Sequence, residues 1–206
     1  MKWKHFIDSN KGVTFVAVLL MMAIFNQWEN PTAWVYLALH GSYGWMWVIK
    51  SRVFPDKTWE RPVSLPAGLG IWAGLMLYWI APLIITSQNV RLPAFALGLL
   101  IALYILGVFL HYTADMQKYT ALKLQPGKLI TEGLWSLCRN PNYLGEFMIY
   151  LSFALLSAHW LPLVVLALYM LIIWFPNMYQ KDRSLARYPD FTAYKQRTKL
   201  FIPGVF

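Results

Sequence analysis

Six apolar runs, set apart by short polar stretches, constrain this chain more than any other feature. They cover residues 13–28, 31–48, 65–86, 92–112, 144–157 and 161–175. A bilayer core of about 30 Å needs about 20 apolar residues of helix, and most of these runs with their flanks meet that length. Hydrophobic residues make up 58% of the chain and mean hydropathy is +0.44, an excess that sits in the runs. The pattern predicts an all-α, polytopic membrane bundle of about six transmembrane helices. The last two runs, divided by Ala158-His159-Trp160, read as a tight helical hairpin that crosses the bilayer. Residues 1–206 are read as one integral membrane domain. Its first part, 1–112, holds four spans; its second, 113–206, holds a loop, the hairpin and a basic tail.

The lysines and arginines test this layout. Positively charged residues stay on the cytoplasmic side of membrane proteins. With six spans and a cytoplasmic N-terminus, only Arg91 of the 18 basic residues falls on the opposite side. Both termini are therefore expected in the cytoplasm, and topology accounts for the formal charge of +9. A nucleic-acid partner is not needed to explain it. The expected location is a bacterial inner membrane, in contact with lipids; the sequence does not set the oligomeric state. No secretory signal peptide is evident. The single cysteine, Cys138, excludes an intrachain disulfide and is expected as a semi-buried small residue. The four histidines are scattered, and no metal-ligand spacing occurs.

The polar residues concentrate in 113–142 and 177–206, on either side of the last hairpin. Asn140-Pro141 is a helix start: a capping side chain, then proline at the first helical position. Arg139 beside such an end, with Lys128 near in sequence, makes an anion site. Asn142, Glu146 and Tyr150 follow at i, i+4 and i+8 on one face. Glu146 lies about one turn inside the helix, and an ionisable group at that depth of an apolar hairpin is costly unless it lines a polar cavity. Upstream, His111 and Asp115 close the fourth span, just before Lys118. Asp115 is either a structural ion-pair partner or a hydroxyl ligand. Within the second span, Tyr36, His40 and Tyr43 share or adjoin one face, and Tyr78 lies in the third.

The run Arg139-Asn-Pro-Asn-Tyr-Leu-Gly-Glu146 resembles the C-terminal region of the steroid 5-alpha-reductase and sterol-reductase families and their small bacterial members. The wider superfamily holds isoprenylcysteine carboxyl methyltransferases and phospholipid methyltransferases. The likeness runs from His111 to Phe206 and includes Asp115, the Pro126-Gly127-Lys128 turn, Gly133-Leu134 and Ile202-Pro203-Gly204-Val205-Phe206. Asn142 and Glu146 within the motif make it reductase-like. The chain departs from the steroid reductases in two places: no Gln-Glu pair lies in the first three helices, and no arginine and histidine set follows the last span.

The resemblance implies an NADPH-dependent reductase acting on a C=C bond of a lipophilic, sterol- or enone-like substrate that enters from the bilayer. It implies that Asn142 and Tyr143 approach the nicotinamide, Asp115 the ribose, and Glu146 the carboxamide or substrate. Lys118, Lys123, Lys128, Arg139 and Arg197 are the expected phosphate ligands. Asp182 and Tyr194 come from the tail, and Asp182 suits either branch of the superfamily. Tyr43, His40 and Tyr78 are the candidate proton donors. The alternatives are an S-adenosylmethionine-dependent methyltransferase and a non-catalytic membrane scaffold.

Overall fold

In the computed structural model, which describes residues 1–206, the chain folds into helices and no strand forms. They are α1 (Trp3–Ile24), α2 (Pro31–Val53), α3 (Leu65–Leu75), α4 (Ile80–Ser87), α5 (Ala94–Leu124), α6 (Pro141–Leu156), α7 (Trp160–Tyr169), α8 (Phe175–Leu185) and α9 (Phe191–Arg197). A 3₁₀ turn joins α3 to α4 over Met76–Trp79, and another lies at Gly133–Ser136. A π-helical turn, Met170–Trp174, joins α7 to α8.

Four continuous helical stretches are long and apolar enough to cross a membrane: Trp3–Ile24, Leu65–Ser87, Ala94–Leu124 and Trp160–Leu185. The other two expected segments form α2 and α6. At 23 residues α2 reaches about 35 Å at 1.5 Å per residue. It buries Tyr36, His40 and Tyr43, so its polar groups do not face lipid. α6 is shorter, at 16 residues. Large apolar side chains such as Leu20, Leu99, Ile105 and Ile172 are exposed along these helices, the surface a bilayer covers. The chain is an integral, all-α membrane protein.

Local chemistry explains most helix ends. Asn30 caps α2, its Oδ1 accepting from the N–H groups of Thr32 (2.9 Å) and Ala33 (3.2 Å). Pro82 has no N–H to donate to the carbonyl four residues before it, that of Tyr78. The helix tightens there into the 3₁₀ turn, and the hydroxyl of Tyr36 donates to the freed Tyr78 carbonyl at 3.2 Å. The π turn likewise stands just before a proline, Pro176. π turns widen a helix by one residue and change which side of it the following residues occupy.

The helix α1 starts ten residues before the expected apolar run, at Trp3. Lys11, expected outside the membrane segment, is therefore buried within it. Its ammonium lies over the rings of Tyr43 (4.3 Å) and Trp47 (4.1 Å). Cation–π attraction of this kind compensates part of the lost hydration. The chain's start is docked on residues 59–63: Trp3 N–H donates to the Arg61 carbonyl (3.2 Å), Lys4 N–H to Trp59 (3.0 Å) and Val63 N–H to Met1 (3.0 Å). Lys2 (2.7 Å) and Lys4 hold the Glu60 carboxylate.

Those two ammoniums push the Glu60 carboxyl down, to about 2. A depressed carboxylate stabilises the folded state above its ordinary pKa and loses that contribution as pH falls through the depressed one. The docked N-terminus is therefore expected to loosen between about pH 4.5 and pH 2, more so in high salt, because the pair is exposed. Amide exchange of residues 1–5 followed against pH checks this. In Glu60→Gln the acid-dependent step should vanish.

By contact density the chain forms two compact units. The first comprises Met1–Ala102 and Leu151–Val165; the second comprises Leu103–Tyr150 and Leu166–Phe206. The core of the first is built from Phe6, Val18, Met22, Tyr36, Tyr43, Ile85 and Phe153. That of the second is built from Trp135, Ile149, Trp174, Met178, Tyr194 and Phe201.

Candidate functional site at the start of α6

Close helix contact builds the frame of the second unit. A Cβ at Gly145 would meet the backbone N of His111, and one at Gly107 would sit 2.7 Å from the Gly145 carbonyl oxygen. Only glycine at both positions lets the backbones of α5 and α6 approach so far. This answers what Gly145 does in the motif: it admits α5. The approach brings His111, which is buried, to α6, where its Nδ1 lies 3.0 Å from the Asn142 carbonyl oxygen. A carbonyl only accepts, so Nδ1 carries the hydrogen and Nε2 turns to Asp115, 3.8 Å away.

The loop before α6 is held from both sides. The turn Gln125-Pro126-Gly127-Lys128 closes with Lys128 N–H donating to the Gln125 carbonyl (3.3 Å), and Gly127 takes φ +83° at its third position. Gly133 (φ +60°) sits under the side chain of Gln117. The Gln117 amide donates to the Glu132 carbonyl (2.7 Å) and accepts from Leu134 N–H (3.2 Å), pinning the loop to α5. From the other side, Tyr194 donates its hydroxyl to the Trp135 carbonyl (2.7 Å). Burial pushes the Tyr194 phenol well above its usual range.

The tail is strapped on by one ion pair. Arg139, which is buried, donates from Nε to both carboxylate oxygens of Asp182 (3.1 and 3.0 Å), and its other nitrogen lies 2.9 Å from Oδ2. It also donates to the Thr198 carbonyl at 2.6 Å. The backbone N–H of Arg139 donates to Lys199 (2.8 Å), and the Asn140 amide to Leu200 (2.9 Å). Lys181 donates to the Arg139 carbonyl (2.6 Å) and to Asn140 Oδ1 (2.8 Å), with its ammonium 4.3 Å above the Trp135 ring. The oxygen expected to cap α6 is thus engaged by a lysine. Cys138, expected as semi-buried, is wholly enclosed here, and burial pushes its thiol up.

Asp115, Lys118, Lys123, Lys128, Arg139, Asn142, Tyr143, Glu146, Asp182, Tyr194 and Arg197 all belong to the second unit, and of these Arg139 and Asp182 are in direct contact. The charge of Lys118 reaches Lys181. The Tyr143 ring lies 5.8 Å from that of Trp174. Arg139, expected at a phosphate, is committed to Asp182 and the tail. Lys123 and Lys128 are exposed, and the Lys123 ammonium sits over Tyr119. Arg197 lies against Tyr194 and borders an open depression with Glu132, Gly133 and Ser136. In this second unit two buried side-chain atoms have no partner, Asn142 Oδ1 and the indole nitrogen of Trp135.

His40, Tyr43 and Tyr78 belong to the first unit. There Tyr36 Oη and His40 Nδ1 are 2.8 Å apart, His40 stacks on Phe153 (4.3 Å), and Lys11 donates to Tyr43 (3.3 Å). Sequence reasoning passed over His111, Lys181, Gln117 and Trp135 as site residues. The spacing of His111 and Asp115, one helical turn, was a usable signal for the first. Nothing local marks Trp135.

Residues 69–198 match a family described as a protein of unknown function, DUF1295. The chain is also similar to the cobalt-zinc-cadmium resistance protein CzcN of Cupriavidus metallidurans, with 29% identity over 142 residues. That stretch is 68% of this chain and 57% of the relative, so the chain spans a little over half the length of the curated protein it matches. With the match covering well over half of its length, this chain belongs to the DUF1295 family, within the steroid 5-alpha-reductase-like superfamily.

Proposed function

We propose that the protein is an NADPH-dependent reductase of a lipophilic, sterol- or enone-like substrate, embedded in a bacterial inner membrane. The observation that carries this reading is the unpartnered, buried amide oxygen of Asn142. A buried acceptor without a donor costs about 1–3 kcal/mol. The carboxamide N–H of a nicotinamide is a donor that suits it. Asp115 offers a carboxylate for hydroxyl groups, and Lys118, Lys181 and the first turn of α6 favour negative charge. Tyr143 and Glu146 complete the set that would hold the cofactor. NADPH, when bound, would supply the hydride, and a group of the chain would supply the proton.

One observation favours a second reading. Arg139 is committed to Asp182, and Lys123 and Arg197 lie against tyrosine rings. That leaves fewer cations for a dinucleotide's phosphates than the sequence offered. S-adenosylmethionine needs few, so a methyltransferase acting on a prenylated thiol, a carboxylate or a lipid amine is the alternative. The name of the Cupriavidus relative concerns metals, but no three His, Cys, Asp or Glu side chains gather here as a metal site.

Thermal unfolding of the detergent-purified protein separates the readings. NADPH should raise the midpoint and S-adenosylmethionine should not. Asn142→Ala should abolish the NADPH shift while changing the ligand-free midpoint little, because its oxygen makes no bond to lose. A shift with S-adenosylmethionine alone would install the methyltransferase. A shift with neither would favour a scaffold.

A further inference from the structure

The helical stretch Trp160–Leu185 is longer than a bilayer core requires. Its 26 residues reach about 39 Å at 1.5 Å per residue, against about 30 Å of hydrocarbon. Counted from Trp160, the roughly 20 residues that cross the core end at Tyr179. The remainder stands in the headgroup layer, on the side that the basic residues assign to the cytoplasm. The exposed side chains change character at that level. Leu171, Ile172 and Ile173 are exposed below it, where lipid tails cover them. Tyr179 follows, 51% exposed, at the depth where aromatic rings gather. Arg183 is exposed one helical turn further on, on the same face as Tyr179. That turn rises about 6 Å, which reaches the level of the lipid phosphates.

Arg187 is exposed too, in the turn after α8. Its guanidinium is set on the Tyr188 ring, 5.0 Å from the centroid, and donates to the Tyr188 hydroxyl at 3.3 Å. Neither Arg183 nor Arg187 has a carboxylate partner in the chain. Asp182, beside Arg183, is buried and committed to Arg139. Over residues 176–206 six basic side chains stand against two acidic ones, so the tail cannot neutralise itself. An arginine in bulk water needs no partner. One at the depth of the phosphates meets their oxygens, which its planar fork matches.

We propose that the outward face of α8, formed by Tyr179 and Arg183 and extended by Arg187, binds the headgroup of a net-anionic phospholipid of the cytoplasmic leaflet. Arg183 holds the phosphate, and Arg187 supplies the second positive charge. Charge selects the lipid. A choline head carries its own cation, which cancels the phosphate and repels a second guanidinium. A glycerol head carries none, so the full negative charge is left for the two arginines. The inference does not depend on which cofactor the second unit takes.

The test is native mass spectrometry of the full chain in detergent, titrated with phosphatidylglycerol and, separately, with phosphatidylcholine. The ratio of the two affinities is the readout, and phosphatidylglycerol should be preferred. Arg183→Gln and Arg187→Gln, made singly, should each narrow the ratio about fivefold, the weight of one cation near a lipid surface. The double variant should lose most of the preference. Lys195→Gln removes the same charge from an exposed position on α9 and should leave the ratio unchanged. Both arginines are exposed, so the core is untouched by their replacement, and the single variants decide if the double one does not fold. Equal affinity of the unaltered protein for the two lipids overturns the proposal. So does a preference that survives in the arginine variants, or one that Lys195→Gln lowers as much as Arg183→Gln does, since the attraction then belongs to the tail's diffuse charge.

Discussion

Replacing Arg139 with alanine is expected to release the C-terminal tail and to cost about 3–5 kcal/mol, the penalty for leaving a buried carboxylate without its partner. The arginine grips Asp182 from two of its nitrogens and bonds to the Thr198 carbonyl, so it fixes α8 and the end of α9 to the loop before α6. Lysine should not rescue it, because one ammonium cannot reproduce the fork on the carboxylate. The double substitution Arg139→Met with Asp182→Leu should recover much of the loss, since no buried charge then stands alone. The neighbouring residue provides the readout. Cys138 is the only cysteine, it is enclosed, and burial holds its thiol in the unreactive form. A maleimide dye should label it slowly in the native protein and much faster in Arg139→Ala. Equal labelling rates, with equal unfolding midpoints, would show that the ion pair does not hold the tail.

Gly145→Ala is expected to be nearly as damaging. Its new methyl group would enter the backbone of α5 at His111, where no side chain can swing away. Overpacking costs about 1–3 kcal/mol where side chains can adjust, so a backbone obstacle belongs at the upper end or beyond. The helices must part, and the bond from His111 to the Asn142 carbonyl goes with them. Gly107→Ala should behave alike, because its methyl group would meet the Gly145 carbonyl. Gly98, on the same helix with open space around it, is the control: Gly98→Ala should be neutral or slightly stabilising. Unfolding midpoints of the three variants give the comparison. A Gly145→Ala protein as stable as Gly98→Ala would remove the close crossing from the account of this site.

These two sites also mark the limit of reading function from the chain alone. The span pattern was legible because bilayer thickness sets helix length. The importance of 139–146 was legible from the motif. The partner of Arg139 was not. Asp182 stands 43 positions away, and an arginine beside a helix start reads equally well as a phosphate ligand. The long α1 was hidden for a related reason. Lys11 looks like a residue that ends a membrane segment, and its burial is explained by contacts that lie on another helix, the rings of Tyr43 and Trp47 and the Tyr43 hydroxyl. His111 and Asn142 are 31 residues apart and meet only because two glycines let their helices touch.

The wide turn at Met170–Trp174 has a consequence for the history of the chain. Losing a single residue there would convert it to ordinary α-helix and swing everything beyond it by about 100° about the rod. Lys181 and Asp182 would then point away from Arg139 and Asn140. Descendants with that deletion could keep their membrane segments intact and yet lose the grip on their own C-terminus, so length at this point should vary less than the identities of the residues that fill it.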